Sequence, residues 1–213
     1  MKKARDVKEV EEIRKSILEG ALNIIVQEGF AALTMRSLAA KIGMTAPNIY
    51  NYFKNKDELY ITLEIRGFDM LHKQLLKAYK SRSDPFQRGI ELARAYLTFG
   101  LTHSSYYDIM FTYPTPKHND YVGTPLENLS EIEYRTSMEI VLLALKAVAA
   151  FMGGHADPGD DDVQRRFIAV WSLLHGMISL YNSRIMGYTS LDPKAQYEEL
   201  ITEFVRLLPR LGT

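Results

Sequence analysis

The chain has 213 residues, 46% of them hydrophobic, with 26 Lys and Arg balancing 26 Asp and Glu. That apolar content excludes an intrinsically disordered chain, and 13 Gly with 8 Pro exclude a collagen-like one; without cysteine there is no disulfide, thiolate metal site or cysteine nucleophile. The neutral total hides a skew, since residues 1–56 carry ten basic side chains against six acidic and the remainder sixteen against twenty, the balance expected of a chain that meets nucleic acid at one end.

Helical periodicity runs through almost the whole chain, and no stretch alternates with period two, so the fold class is all-α. Ile13, Ile17, Ala21 and Ile25, flanked by Leu18 and Leu22, predict an amphipathic helix over 7–28, capped by Asp6 with Glu9 in the reciprocal position and ended by Gly29. Thr34 opens a short helix that stops at Gly43, Thr45 opens a second through Phe53, and Asn55 with Glu58 opens a third to about Lys80. Three later starts place proline at the first helical position after a capping residue: Asp84-Pro85, Thr124-Pro125 and Asp192-Pro193. They predict helices over 85–103, 125–152 and 193–209, with another over 160–186 after the loop from Gly153 to Gly159.

The longest apolar stretch, Ile140 to Met152, carries Lys146 and falls short of the roughly 18–20 residues a membrane span requires. The basic N-terminus is followed by no apolar core of a signal peptide, so a cytoplasmic protein with no membrane partner is expected.

Residues 34–59 carry the most information. Two helices joined by Gly43-Met44 form a helix–turn–helix in which Ala39 allows close approach and Leu38, Ile42, Ile49 and Phe53 build a miniature core. Thr45, Pro47, Asn48, Tyr50, Asn51 and Tyr52 are then expected to face outward, with no acidic residue between Lys41 and Lys56. Amides, hydroxyls and apolar faces read base edges in a major groove, while tyrosine hydroxyls, Thr45 and Lys56 suit phosphate oxygens.

Residues 10–60 resemble the N-terminal DNA-binding domain of the TetR family of bacterial transcriptional regulators. The resemblance lies in Ala21, Gly29-Phe30, Thr34, Leu38-Ala39-Ala40-Lys41-Ile42-Gly43-Met44-Thr45 and the run from Ile49 to Leu59, with its Tyr-x-Tyr-Phe-x-x-Lys-x-x-Leu ending. It implies that Thr45, Ala46, Pro47, Tyr50, Asn51, Tyr52 and Lys56 contact operator DNA, with Thr34 and Arg36 near the backbone. Pro47 departs from the small or basic residue frequent at its position, leaving van der Waals contact only. Trp171, His175 and Gly176 likewise resemble the Trp-x-x-x-His-Gly signature of one C-terminal subclass. The division expected is a helix–turn–helix domain at 1–56 and an effector-binding and dimerisation domain at 57–213.

One recognition helix covers few base pairs, so such proteins read two half-sites as dimers. Phe167, Val170, Leu174, Ile178 and Tyr181, with Leu200, Phe204 and Leu208, lie on helices too widely apolar for one contact and are the candidate homodimer surface. Phe99, His103, Tyr106, Tyr107, Met110, Phe111 and Tyr113, joined by Trp171 and His175, are candidates for holding a small apolar or aromatic effector. His175 reads as a core histidine rather than a metal ligand. Asp160–Asp162 answers a helix dipole. No histidine spacing, phosphate loop or nucleophile–base pair marks an enzyme, a metal or a cofactor site. The function expected is a ligand-responsive repressor on a near-palindromic operator, the alternative being an activator or a ligand-independent regulator.

Overall fold

The computed structural model describes residues 7–153, 156–188 and 192–208, and among them every regular element is helical. In chain order these are α1 (Val7–Glu28), a 3₁₀ turn (Phe30–Ala32), α2 (Met35–Lys41), α3 (Ala46–Ile49), α4 (Lys56–Ser81), α5 (Pro85–Thr102), α6 (Ser104–Phe111), α7 (His118–Tyr121), α8 (Glu127–Phe151), α9 (Asp161–Asn182), a second 3₁₀ turn (Ile185–Tyr188) and α10 (Pro193–Leu207). They fall into two compact units. The first holds the chain to Gly67 with Ser105–Tyr134, and the second holds Phe68–Ser104 with the chain from Arg135 onward. The helix–turn–helix lies wholly in the first.

In the first unit, α1 buries Ile17, Leu18, Ala21, Ile24 and Ile25 against Leu38 and Ala39 of α2, Ile49 of α3 and Leu59, Tyr60 and Leu63 of α4. The closest approach is made by Gly20, whose sequence position gave no hint of it. A Cβ there would lie 2.4 Å from Ile42 Cγ2 and 3.1 Å from Leu38 Cδ1, so α1 and α2 meet over bare backbone. Thr34 caps α2 as expected: its hydroxyl accepts from the Ser37 amide at 2.9 Å, and the Ser37 hydroxyl accepts in turn from the Thr34 amide at 2.9 Å. The turn after α2 needs Gly43 at φ +67°, a left-handed conformation costly for residues with a Cβ.

In the second unit, α5 packs against α9 and α10. Trp171 Nε1 donates to the Tyr96 hydroxyl at 2.8 Å and Asn182 Nδ2 to the Gly100 carbonyl at 3.2 Å, joining α9 to α5. The Tyr197 hydroxyl donates to the Met177 carbonyl at 2.8 Å, and Arg94 pairs with Glu198 at 2.8 Å, so α10 is fixed to both neighbours.

Several boundaries differ from the sequence expectation. The helix expected over Thr45–Phe53 stops at Ile49 and passes into a turn. Pro125 lies in a turn and α8 begins at Glu127, because the Thr124 hydroxyl accepts from the Leu126 amide while Glu127 reaches back to the Gly123 amide at 2.9 Å. The helix expected to reach 186 ends at Asn182. The Asp6 cap, His155 and the end of the last helix at 209 lie outside the described residues.

The expected dimer stripe is also divided. Leu174, Ile178 and Leu208 are buried within the chain, as helix faces turned toward the unit's own core must be. Phe167, Val170, Tyr181 and Phe204 are half-buried, and of the expected set only Leu200 is fully outward. A straight helix of 3.6 residues per turn drifts relative to a three-and-four pattern, so over α9 the pattern merges two faces into one stripe. The apolar residues on the outward face of α9 are Ile168, Trp171 and Leu180, with Leu207 beside Leu200 on α10.

Candidate nucleic-acid interface

The recognition segment is a short helix held from below. Ile49 and Phe53 are fully buried, and the intervening turn is closed by the Tyr52 amide donating to the Ile49 carbonyl at 2.8 Å. Arg14 of α1 closes the far end. Its guanidinium lies 4.1 Å from the centre of the Phe53 ring, donates to the Tyr52 carbonyl and pairs with Glu58 at 3.8 Å. No sequence signal marks Arg14, because its partners lie about forty residues away.

Above this floor the exposed groups are Thr45, Pro47, Tyr50 and Asn51, with Ala46 and Asn48 partly exposed. Thr45 stands at the start of α3 and its hydroxyl makes no capping bond. Asn51 Nδ2 donates to Asn48 Oδ1 at 3.3 Å, which orients two amides on one surface. Tyr50 is 51% exposed, as expected. Tyr52 is not: it is 7% exposed and belongs to the core with Ile49 and Phe53. The reason is the early end of α3. Had the helix continued to Phe53, Ile49 and Phe53 would share the buried stripe and Tyr52 would project beside it. The turn at Tyr50 and Asn51 instead carries Tyr52 inward.

The basic groups around this surface differ in their freedom. Arg36 and Lys54 are exposed. Lys41 donates to Gln27 Oε1 at 2.9 Å and lies 3.6 Å from Glu28. Lys56 sits 5.4 Å from the Phe30 ring centre and 5.0 Å from that of Tyr60, and burial there pulls its ammonium below the ordinary lysine range while Asp57 opposes the shift. Thr34 is exposed, though its hydroxyl is engaged in the α2 cap. At the start of α4, Asn55 Oδ1 accepts from the Glu58 amide at 2.8 Å and Glu58 accepts from the Lys54 amide at 2.6 Å, fixing the exit from the recognition segment.

The candidate effector residues divide between the units. Phe99, His103, Trp171 and His175 belong to the second, where the Phe99 and His103 rings lie 5.3 Å apart and Phe167 and Trp171 stack at 5.8 Å. Tyr106, Tyr107, Met110, Phe111 and Tyr113 belong to the first. There Tyr113 stacks on Phe30 at 4.3 Å, Tyr107 meets Phe111 at 5.0 Å, and Tyr106 and Tyr113 pack on the helix–turn–helix core. Burial there holds both the Tyr106 and the Tyr113 phenols above the ordinary tyrosine range.

Two domain families match this sequence. Residues 17–63 match the bacterial regulatory proteins of the tetR family, and residues 90–204, more than half of the chain, match the tetracyclin repressor-like C-terminal domain. The chain belongs to the TetR family. TetR-family members are DNA-binding transcription regulators rather than enzymes. Among relatives, the HTH-type transcriptional regulator Rv0681 of Mycobacterium tuberculosis is 24% identical over 204 residues, covering 94% of this chain and 83% of the relative. The class D tetracycline repressor of Escherichia coli is 29% identical over 143 residues, 66% of this chain and 63% of that protein. The transcriptional activator FasR of Mycolicibacterium smegmatis is 30% identical over 115 residues, 54% of this chain and 50% of that one. The crystal structure of SCO4313 shares the fold with a TM-score of 0.73 at 23% identity, covering 94% of this chain and 98% of that one. No helix among the described residues is long and apolar enough to cross a membrane.

Proposed function

We propose that this TetR-family regulator is a ligand-responsive repressor that binds a near-palindromic operator as a homodimer. One observation carries the proposal: Tyr50 stands half-exposed at the end of α3 while Ile49, Tyr52 and Phe53 are sealed beneath it, so the core holds a reading surface firmly without occupying it. Thr45, Ala46, Pro47, Tyr50 and Asn51 would meet base edges and sugars in the major groove, and Arg36, Lys56 and the exposed side of Thr34 would meet phosphates. Tyr52 leaves the contact set and acts from the core. DNA binding is assigned to residues 1–56, and effector binding and dimerisation to 57–213.

Dimerisation is assigned to α9 and α10 through Ile168, Trp171, Leu200 and Leu207, with half-buried Phe167, Val170, Tyr181 and Phe204 beside them. These apolar groups are left outward by the chain's own packing. Two copies joined there would present recognition segments about 34 Å apart, one helical turn of DNA. An apolar or aromatic effector near Phe99, His103, Trp171 and His175 would lower operator affinity by its preference for a state with another spacing. Repression is favoured over activation by the tetracycline repressor relative; the FasR relative makes activation the second reading.

Gel-shift titration against DNA from upstream of the protein's own gene tests the proposal. A shift whose affinity falls steeply with added salt is expected, together with a dimer in sedimentation velocity. A salt-insensitive or absent shift at micromolar protein, or a monomer, overturns it. Tyr50→Ala should weaken specific binding by about 10–100-fold, the loss of roughly 1–3 kcal/mol typical of a base-reading contact, with melting temperature and dimer unchanged. Unaltered affinity would remove Tyr50 from the reading surface.

A further inference from the structure

Lys56 differs from Arg14 and Lys41 in what holds it. Arg14 pairs with Glu58, and Lys41 with Gln27 and Glu28, whereas among the described residues no hydrogen bond or ion pair engages the Lys56 ammonium. Its surroundings are aromatic faces, with Nζ 5.0 Å from the Tyr60 ring centre and 5.4 Å from that of Phe30.

Those rings belong to a longer stack within the first unit. Tyr60 follows Lys56 by four residues on α4, one turn along the same face. Phe30 stacks with Tyr60 at 4.9 Å and with Tyr113 at 4.3 Å, both at 20° to parallel. Tyr113 is fixed through its backbone: its amide donates to the Asp108 carbonyl and its carbonyl accepts from the Thr115 amide, each at 2.8 Å. The Tyr60 hydroxyl is buried with no hydrogen-bond partner among the described residues, so Tyr60 acts here through its ring. Aromatic support thus runs from the connection between α6 and α7 to the start of α4.

A ring face attracts an ammonium but carries no net charge, so Lys56 is oriented without being neutralised. A carboxylate in the same place would restrain the side chain and cancel the charge that a phosphate requires. A lysine already held also loses less rotamer freedom when DNA arrives. We propose that Tyr113 is a positioning residue for DNA binding: with Phe30 and Tyr60 it holds the Lys56 ammonium where it meets a phosphate. The inference rests on the operator reading above and adds to it a residue far outside positions 1–56.

Fluorescence anisotropy with a labelled duplex from upstream of the protein's own gene tests the role by a double-mutant cycle. Lys56→Gln should weaken binding about tenfold and lower the slope of log affinity against log salt by about 0.9, the share of one phosphate. Tyr113→Leu should weaken binding about twofold to fivefold, the scale of an exposed cation–π contact, and should cost nothing further in Lys56→Gln. Tyr113→Phe and Tyr60→Phe keep their rings and should bind like the wild type. A second measurement needs no DNA. The Lys56 side-chain methylene protons should resonate upfield of those of the other lysines, and move back toward them in Tyr113→Leu. An equal cost of Tyr113→Leu with and without Lys56, weakened binding by Tyr113→Phe, or ordinary methylene shifts for Lys56 would overturn the positioning role and leave the operator reading standing. A wild-type protein that binds no DNA would overturn both.

Discussion

Phe53→Ala is expected to lower folding stability by about 3–5 kcal/mol, the usual cost of deleting a fully buried phenylalanine. Phe53 is fully buried in the core that also contains Ile17, Leu38, Ile49 and Leu59, and its ring carries the Arg14 guanidinium 4.1 Å above it. Truncation leaves a void beneath the recognition turn and takes away the surface on which Arg14 rests. Total stabilities are typically about 5–15 kcal/mol, so the loss is a large fraction of the whole and should lower the melting temperature by roughly 10 °C. Urea titration followed by circular dichroism measures it, and a change below about 1 kcal/mol would contradict the burial described above. DNA binding should fall with folding, whereas Tyr50→Ala should weaken binding and leave the fold; the two variants separate floor from surface.

The second large effect is a dependence of stability on pH. Burial, then repulsion from Glu64, push the Glu133 carboxyl from an ordinary 4.5 up to about 7, with Lys117 opposing. A raised carboxyl holds its proton in the folded state where the unfolded chain has released it. Its stabilising contribution is therefore intact below about pH 4.5 and is lost as pH rises through about 7. The full loss is about 3 kcal/mol for a shift of that size. Glu64 is raised in the same direction, again by burial first. Glutamine at 133 cannot ionise, so Glu133→Gln should be more stable than the wild type at pH 8.5 and nearly equal to it at pH 5. Urea midpoints of both proteins across this range read the difference, and parallel profiles would refute it.

Local chemistry was legible in the sequence where a helix start depends on adjacent residues. Thr34, Asp84 and Asp192 cap the helices expected of them, with Pro85 and Pro193 at the first helical position, since each cap needs only an amide two or three residues ahead. α1 matches its expected bounds because its apolar spacing is long and regular. Periodicity places Tyr52 on the surface because it assumes that the helix continues, and nothing in Ile49-Tyr50-Asn51-Tyr52 announces the turn that buries it. Gly20, Arg14 and Glu133 were invisible for a different reason. Each owes its role to a residue brought near by folding: Ile42, Phe53 and Glu64 respectively. A glutamate on a mixed helix reads as a surface residue until another helix covers it.

The shortness of α3 has an evolutionary consequence. With only four helical residues, the segment adds to its few backbone bonds the support of buried Ile49, Tyr52 and Phe53 and of the Arg14 clamp. Isolated helices of this length do not persist in water. Substitutions at the outward positions Thr45, Pro47, Tyr50 and Asn51 should therefore leave the scaffold largely undisturbed, so that relatives could come to differ in the DNA they read at little cost to folding. Transplants between such cousins would succeed only when the concealed trio travels unchanged.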